Sequence, residues 1–135
     1  MALYLPDTSA WRRSDGVADK WEVMIRAADL ALCTPVALEL LYSAQSRGEY
    51  RELADELSLL RLLPTTDRAA RAAQRVQALL AERGQHRGPP PIDLLIAGVA
   101  EVHGATLIHY DRHFDAIQRV TGQPMEWLAP RGSLD

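Results

Sequence analysis

Residues 92–115 read IDLLIAGVAEVHGATLIHYDRHFD, and the reading of this stretch decides the fold. Residues 92–103 have the pattern of a helix that ends at Gly104, a residue suited to the left-handed turn after a last helical turn. A short β-type run, ATLIHY (105–110), follows, and a second helical pattern covers 112–120. Helix, strand and helix in this order are the building units of a mostly parallel sheet. Asp93 falls in the first turn of the first helix. Asp111 follows the strand, and Asp115 lies one helical turn further on. An acid just inside an apolar helix start is ordinarily a partner for the helix macrodipole. Whether Asp93 does more depends on which other carboxylates come near it.

Outward from this stretch the alternation continues. ALYL (2–5), LALC (30–33), RLLP (61–64) and MEWL (125–128) read as further strands, with helical patterns over 17–28, 35–47, 50–59 and 67–83. Thr34-Pro35 reads as N-cap and first helical residue, and Thr66-Asp67 as an N-cap followed by a first-turn acid. Gly84 and Gly122 stand where helices should end. Pro6 removes a ladder N–H and should end or bulge the first strand just before Asp7. GQHRGPPP (84–91) is a loop inside the domain. The expected architecture is one α/β domain over residues 1–130, a central mostly parallel sheet of four to five strands flanked by helices. The polar tail 131–135 is expected to be disordered.

Composition narrows the class without deciding function. The chain has 135 residues, 47% apolar and 24% charged, which suits one ordinary globular domain. No apolar run approaches the roughly 18 residues of a membrane span, and the start lacks the basic and apolar regions of a signal peptide. A single cysteine, Cys33, excludes an intrachain disulfide and a Cys-rich zinc site, and reads as a buried small hydrophobe. The expected location is the cytoplasm. Lys20 is the only lysine; the remaining basic residues are arginines, a bias that GC-rich coding also produces.

The acids carry the chemistry. Asp7 follows the first strand, Glu39 lies one turn into the helix after the second, Asp93 sits in a first turn, and Asp111 follows the strand 105–110. In a parallel sheet such junctions share one edge, the edge where open α/β sheets place their ligand sites. Four carboxylates brought together repel, and some stay protonated unless a cation is bound. Oxygen donors of this kind select Mg2+ or Mn2+ over zinc or copper. A carboxylate-held Mg2+ is the usual equipment for phosphodiester hydrolysis. The competing reading is that three of the acids are helix caps that never meet. His103, His109 and His113 are unevenly spaced and read as packing or surface residues, not a metal triad.

The motifs LPDTSAW, TPVALELLYSA and IDLLIAGVAEVHGATLIHYDRHFD, in this order and at these spacings, resemble the PIN-domain ribonucleases, and within them the VapC toxins of bacterial toxin–antitoxin pairs. The resemblance implies that Asp7, Glu39, Asp93 and Asp111 form an acidic quartet around Mg2+, with Mn2+ as a substitute. It implies that Ser9 supports the site from behind, as does Asp115, which competes with Asp111 for the place of fourth acid. The activity implied is metal-dependent endoribonuclease cleavage by a toxin. The partners implied are RNA, a second copy of the chain, and a VapB-like antitoxin that inserts an Arg beside the acids. Arg12, Arg13, His86, Arg87 and Arg112 could hold RNA phosphates, Arg112 being the best placed, although a solvated surface residue is the commoner reading for any one of them. Setting the four site acids aside leaves 14 acidic against 15 basic residues, so the net charge of −3 does not count against RNA. Trp11, Trp21 and Tyr42 read as core or dimer contacts before base-stacking residues. A metal-dependent adhesion domain would need Ser where Trp11 stands, and a haloacid-dehalogenase-like phosphatase would need Asp at Ser9. A PIN fold that only binds RNA or protein is the remaining alternative.

Overall fold

The computed structural model describes residues 2–27 and 29–135. Five strands, β1 (Tyr4–Pro6), β2 (Ala31–Leu32), β3 (Arg61–Leu62), β4 (Thr106–His109) and β5 (Met125–Trp127), alternate with helices, and every pairing is parallel. The strands form a sheet of order β1-β4-β5 and a pair β2-β3. A single bridge, Tyr4 to Leu30, joins the two. Pro6 accounts for that thin seam. Tyr4 N–H donates to Asp29 on the β2 side at 2.8 Å, and Asp7 N–H donates to Ile108 on the β4 side at 2.9 Å. Successive amides alternate in direction along a strand, so the nitrogen of Pro6 faces β2 and has no hydrogen to give. The strand ends there, and Asp7 leaves the sheet at its C-terminal edge.

The helices are α1 (Thr8–Arg12), α2 (Ala18–Arg26), α3 (Thr34–Tyr42), α4 (Arg47–Leu57), α5 (Asp67–Glu82), α6 (Pro91–Val102) and α7 (His113–Thr121), with a short 3-10 turn at Ser14–Val17. Ala28, the last residue of the helix expected over 17–28, lies outside the described residues, as does Met1. Thr66 caps α5, accepting from Ala69 N–H at 3.2 Å. The expected cap at Thr34 is one residue late. Cys33 is the N-cap of α3, Thr34 already belongs to the helix, and no side chain makes the capping bond. Gly84, Gly104 and Gly122 all adopt left-handed backbone, at φ 69°, 67° and 67°.

Leu5, Leu107, Ile96, Val99 and Phe114 are fully buried at the centre of the core, and Cys33 is buried among them. Helix α6 is held by α5, which runs antiparallel to it. Pro64 faces His103 at 2.9 Å, and a Cβ at Gly98 would fall 2.5 Å from the Ala69 carbonyl oxygen. That close approach fixes the height of α6, and with it the depth of Asp93. Residues 131–135, whose polarity suggested disorder, end in a docked side chain. Leu134 packs against the apolar cluster that includes Trp21 and Leu128, and its N–H donates to the Tyr110 hydroxyl at 2.8 Å.

Candidate active site

Asp7 is 3% exposed and caps α1, with its Oδ1 accepting from Ala10 N–H at 3.1 Å and from the Ser9 hydroxyl at 2.7 Å. Ser9 in turn accepts from Tyr110 N–H at 2.8 Å, tying the end of β1 to the end of β4. The hydroxyl two residues past the first acid therefore orients that acid. Glu39, half-buried on α3, accepts a 2.6 Å bond from the Thr8 hydroxyl, a contact no sequence pattern announces because it spans two elements. Asp93 is 8% exposed at the third position of α6. Asp111 caps the next turn, accepting from His113 N–H at 2.9 Å.

The carboxylates share one field. Burial raises the Asp7 carboxyl to about 6, bonds from Ser9 and Ala10 oppose this, and nearby Asp111 adds to it. Burial raises Asp93 to about 7, with the charges of Asp7, Asp111 and Glu39 all contributing. Asp93 and Asp111 are the pair in direct reach of one another, and Asp7 and Glu39 lie near enough to act on Asp93 through their charge. Asp7 satisfies both readings, since it is a helix cap and a member of the cluster. Burial likewise raises the Cys33 thiol to about 11, with Asp7 and Glu39 adding to the effect, so it stays a neutral, inert group.

One carboxylate oxygen each from Asp93 and Asp111 and one ring nitrogen of His113 lie within 4.8 Å of one another. His113, expected to be a packing or surface residue, thus stands at the acids. Its Nδ1 is 3.3 Å from Asp111 Oδ1, buried, and without a well-formed hydrogen bond. The donor set suits a divalent ion: hard carboxylate oxygens whose repulsion a cation would relieve, and one imidazole nitrogen, a donor that Mn2+ accepts more readily than Mg2+. The remaining histidines keep their expected roles. His103 anchors α6 to Pro64, and His109 is enclosed between Phe114 and Trp127, where burial lowers its pKa.

Asp115 is placed elsewhere. Its Oδ1 accepts from Trp127 Nε1 at 3.1 Å, so it fastens α7 to β5 while Asp111 stands with Asp93. Arg112 is exposed at the start of α7 and lines two clefts, and Arg12, His86 and Arg87 are exposed. Thr8→Val keeps the shape of the buried side chain but removes the bond to Glu39. Losses of this kind typically cost 10–100-fold in metal affinity or activity, and a loss of about tenfold or more in Mn2+ affinity is expected by calorimetry. An unchanged affinity would show that Glu39 needs no such support.

Comparisons with known proteins identify the family. The model of the PIN domain matches residues 4–120. Ribonuclease VapC18 of Mycobacterium tuberculosis is 40% identical over 98% of this chain and 99% of its own length. Ribonuclease VapC51 of the same organism is 41% identical over 100% of both chains. Among solved structures, DNA-bound VapBC from Salmonella typhimurium superposes with a TM-score of 0.75 at 23% identity, covering 96% of this chain and 100% of that one. VapBC-5 of M. tuberculosis gives 0.63 at 26% identity, covering 94% and 98%. With the domain model matched over most of the chain, full-length relatives at 40% and 41% identity and a shared fold, the chain belongs to the PIN-domain family, in its VapC branch.

Proposed function

We propose that this protein is a metal-dependent endoribonuclease acting as the toxin of a toxin–antitoxin pair. The observation that carries the reading is the grouping of donor atoms from Asp93, Asp111 and His113 within 4.8 Å, with Asp7 and Glu39 close enough for their charges to add to burial in raising the Asp93 carboxyl to about 7. The full-length relatives named ribonucleases support it. Asp7, Asp93, Asp111 and Glu39 would hold Mg2+ or Mn2+, with His113 beside them. The bound ion would lower the pKa of an attacking water and neutralise charge on the scissile phosphate. The chain's own part is placement. Ser9 fixes the rotamer of Asp7, Thr8 fixes Glu39, and the packed α5–α6 pair sets the position of Asp93.

Restraint would come from a second protein. A cleft of about 780 Å3 opens between Trp11, Ile25, Leu30, Leu57 and Leu60, with Leu59, 86% exposed, at its rim. An amphipathic antitoxin helix would cover it, with an Arg beyond that helix reaching the acids, where its planar fork would bind carboxylates bidentately. Leu38 and Tyr42, 60% and 91% exposed and one turn apart on α3, are available for pairing two copies. No helix among the described residues is long and apolar enough to cross a membrane.

Expression alone should arrest growth, and co-expression of the adjacent antitoxin should restore it. Ile25→Asp should remain toxic and escape rescue. Absence of RNA cleavage by the purified protein with either Mg2+ or Mn2+ would refute the nuclease reading.

A further inference from the structure

Beside the acids, the C-terminal segment builds a second feature that the cleavage chemistry does not use. Arg13, Arg112 and Arg131 line a cleft of about 250 Å3 together with Tyr110, Trp127 and Asp111. Asp111 is thus a wall shared with the acid cluster. The Arg13 guanidinium lies 4.8 Å over the Tyr110 ring, and the Arg131 guanidinium 5.9 Å over the Trp127 ring. Among the described residues, the one Arg–carboxylate contact is Arg26 with Glu22, on α2. The three arginines at the cleft therefore have no carboxylate partner, although Asp111 and Asp135 stand in the same wall. In a chain of net charge −3, cations set beside acids yet not paired with them are free to hold an outside anion.

The aromatic floor is fixed. Trp127 is held by its bond to Asp115, and its ring lies 4.9 Å from His109 and 5.5 Å from Tyr110, edge to face with the latter. The tail is fastened beside it by Leu134 N–H on the Tyr110 hydroxyl. Arg112 and Arg131 also line a neighbouring cleft of about 500 Å3 that includes Arg119 and the loop at Gly84 and Pro89. The two clefts share Arg112 and Arg131, and together they outline a path whose smaller end is walled by Asp111.

We propose that this path is a single-stranded RNA subsite, in which an unpaired base next to the cleaved phosphodiester stacks on Trp127 while Arg112 and Arg131 hold its flanking phosphates. Aromatic faces stack any base, and guanidinium groups hold phosphate, so the two features together select unpaired RNA over a duplex. On binding, the base takes the indole face and Arg131, exposed and unpaired, moves onto the phosphate. Asp115 is then a positioning residue for the stacking platform. This inference rests on the ribonuclease reading and deepens it.

The test is fluorescence anisotropy with a labelled single-stranded RNA, in chelator so that nothing is cleaved, over a range of salt. Arg112→Ala and Arg131→Ala should each lower the slope of log affinity against log salt by about 0.7. Trp127→Leu should weaken binding roughly 5- to 150-fold with no change of slope, and Trp127→Phe should restore most of it. Arg71→Ala, on α5 beside the opposite end of α6, should change neither. Unaltered slopes and affinities in a protein that still cleaves RNA would overturn the subsite and leave the nuclease standing. The subsite also falls if Arg131→Ala weakens antitoxin binding and leaves RNA binding unchanged. A protein that neither binds nor cleaves any RNA would overturn both readings.

Discussion

Asp93→Asn should abolish RNA cleavage while raising the melting temperature of the metal-free protein. Both effects have one origin. Asp93 is 8% exposed and faces three other acids, and its carboxyl is raised from 3.8 to about 7. At pH 8 it is ionised in the folded state at a cost, by linkage, of about 4 kcal/mol relative to the unfolded chain. Asparagine has the same shape and no charge. It removes that cost and leaves a buried amide whose hydrogen bonds are incomplete, a penalty of about 1–3 kcal/mol. The net gain is on the order of 1–3 kcal/mol, or roughly 4–10 °C for a domain of this size. The same substitution removes a central donor for the ion. Loss of an outer support costs 10–100-fold, so loss of the donor itself should cost on the order of a hundredfold or more in cleavage. Melts of both proteins in chelator and in saturating Mn2+ separate the two effects. Wild type should gain strongly from Mn2+ and the variant little. Equal stabilisation by Mn2+ would place the ion elsewhere.

The placement of these acids is legible in the sequence because it depends on local signals. Strand ends and helix starts mark the C-terminal edge of a parallel sheet, so the pattern leads one to expect Asp7, Glu39, Asp93, Asp111 and Asp115 near one edge. The choice of a quartet among them comes from the family resemblance. Pro6 marks the end of β1 for the same reason: its missing N–H acts within the strand that carries it. What stays hidden depends on pairs far apart in sequence. Thr8 meets Glu39 only because β1 and β2 are neighbours. His113 makes no triad with the other histidines, and the informative pairing is with Asp111 two residues earlier. The choice between Asp111 and Asp115 turns on Trp127, which draws the later carboxylate to its indole. The docked tail escapes a reading by composition because one apolar residue, Leu134, outweighs its polar neighbours.

The metal-free protein should carry a stability deficit that appears only as pH rises, and Asp7 and Asp93 should set it. Both folded carboxyls lie above the unfolded value of 3.8, at about 6 and about 7. Below pH 4 they are neutral in folded and unfolded chains alike, and cost nothing. Between pH 4 and 7 the unfolded chain loses these protons first, so the native state binds more, and stability falls as pH rises. Above pH 7 the loss is complete, at about 3 kcal/mol for Asp7 alone and 4 for Asp93 alone. His109 works in the opposite sense. Burial lowers its pKa, so acid favours the unfolded, protonated imidazole. Comparing wild type with Asp93→Asn cancels that contribution, since both contain His109. In urea titrations with chelator, the variant should be the less stable protein at pH 4, by its amide penalty, and should overtake the wild type as pH rises to 8. A divalent ion reverses the trend, because it binds the deprotonated acids and must displace their protons. At pH 6 Mn2+ binding should release roughly one to two protons, read from calorimetry in buffers of different ionisation enthalpy. An advantage that shrinks with rising pH, together with no proton release, would mean that the two carboxyls are already ionised in the folded protein, and that the cleft is stabilised without an ion.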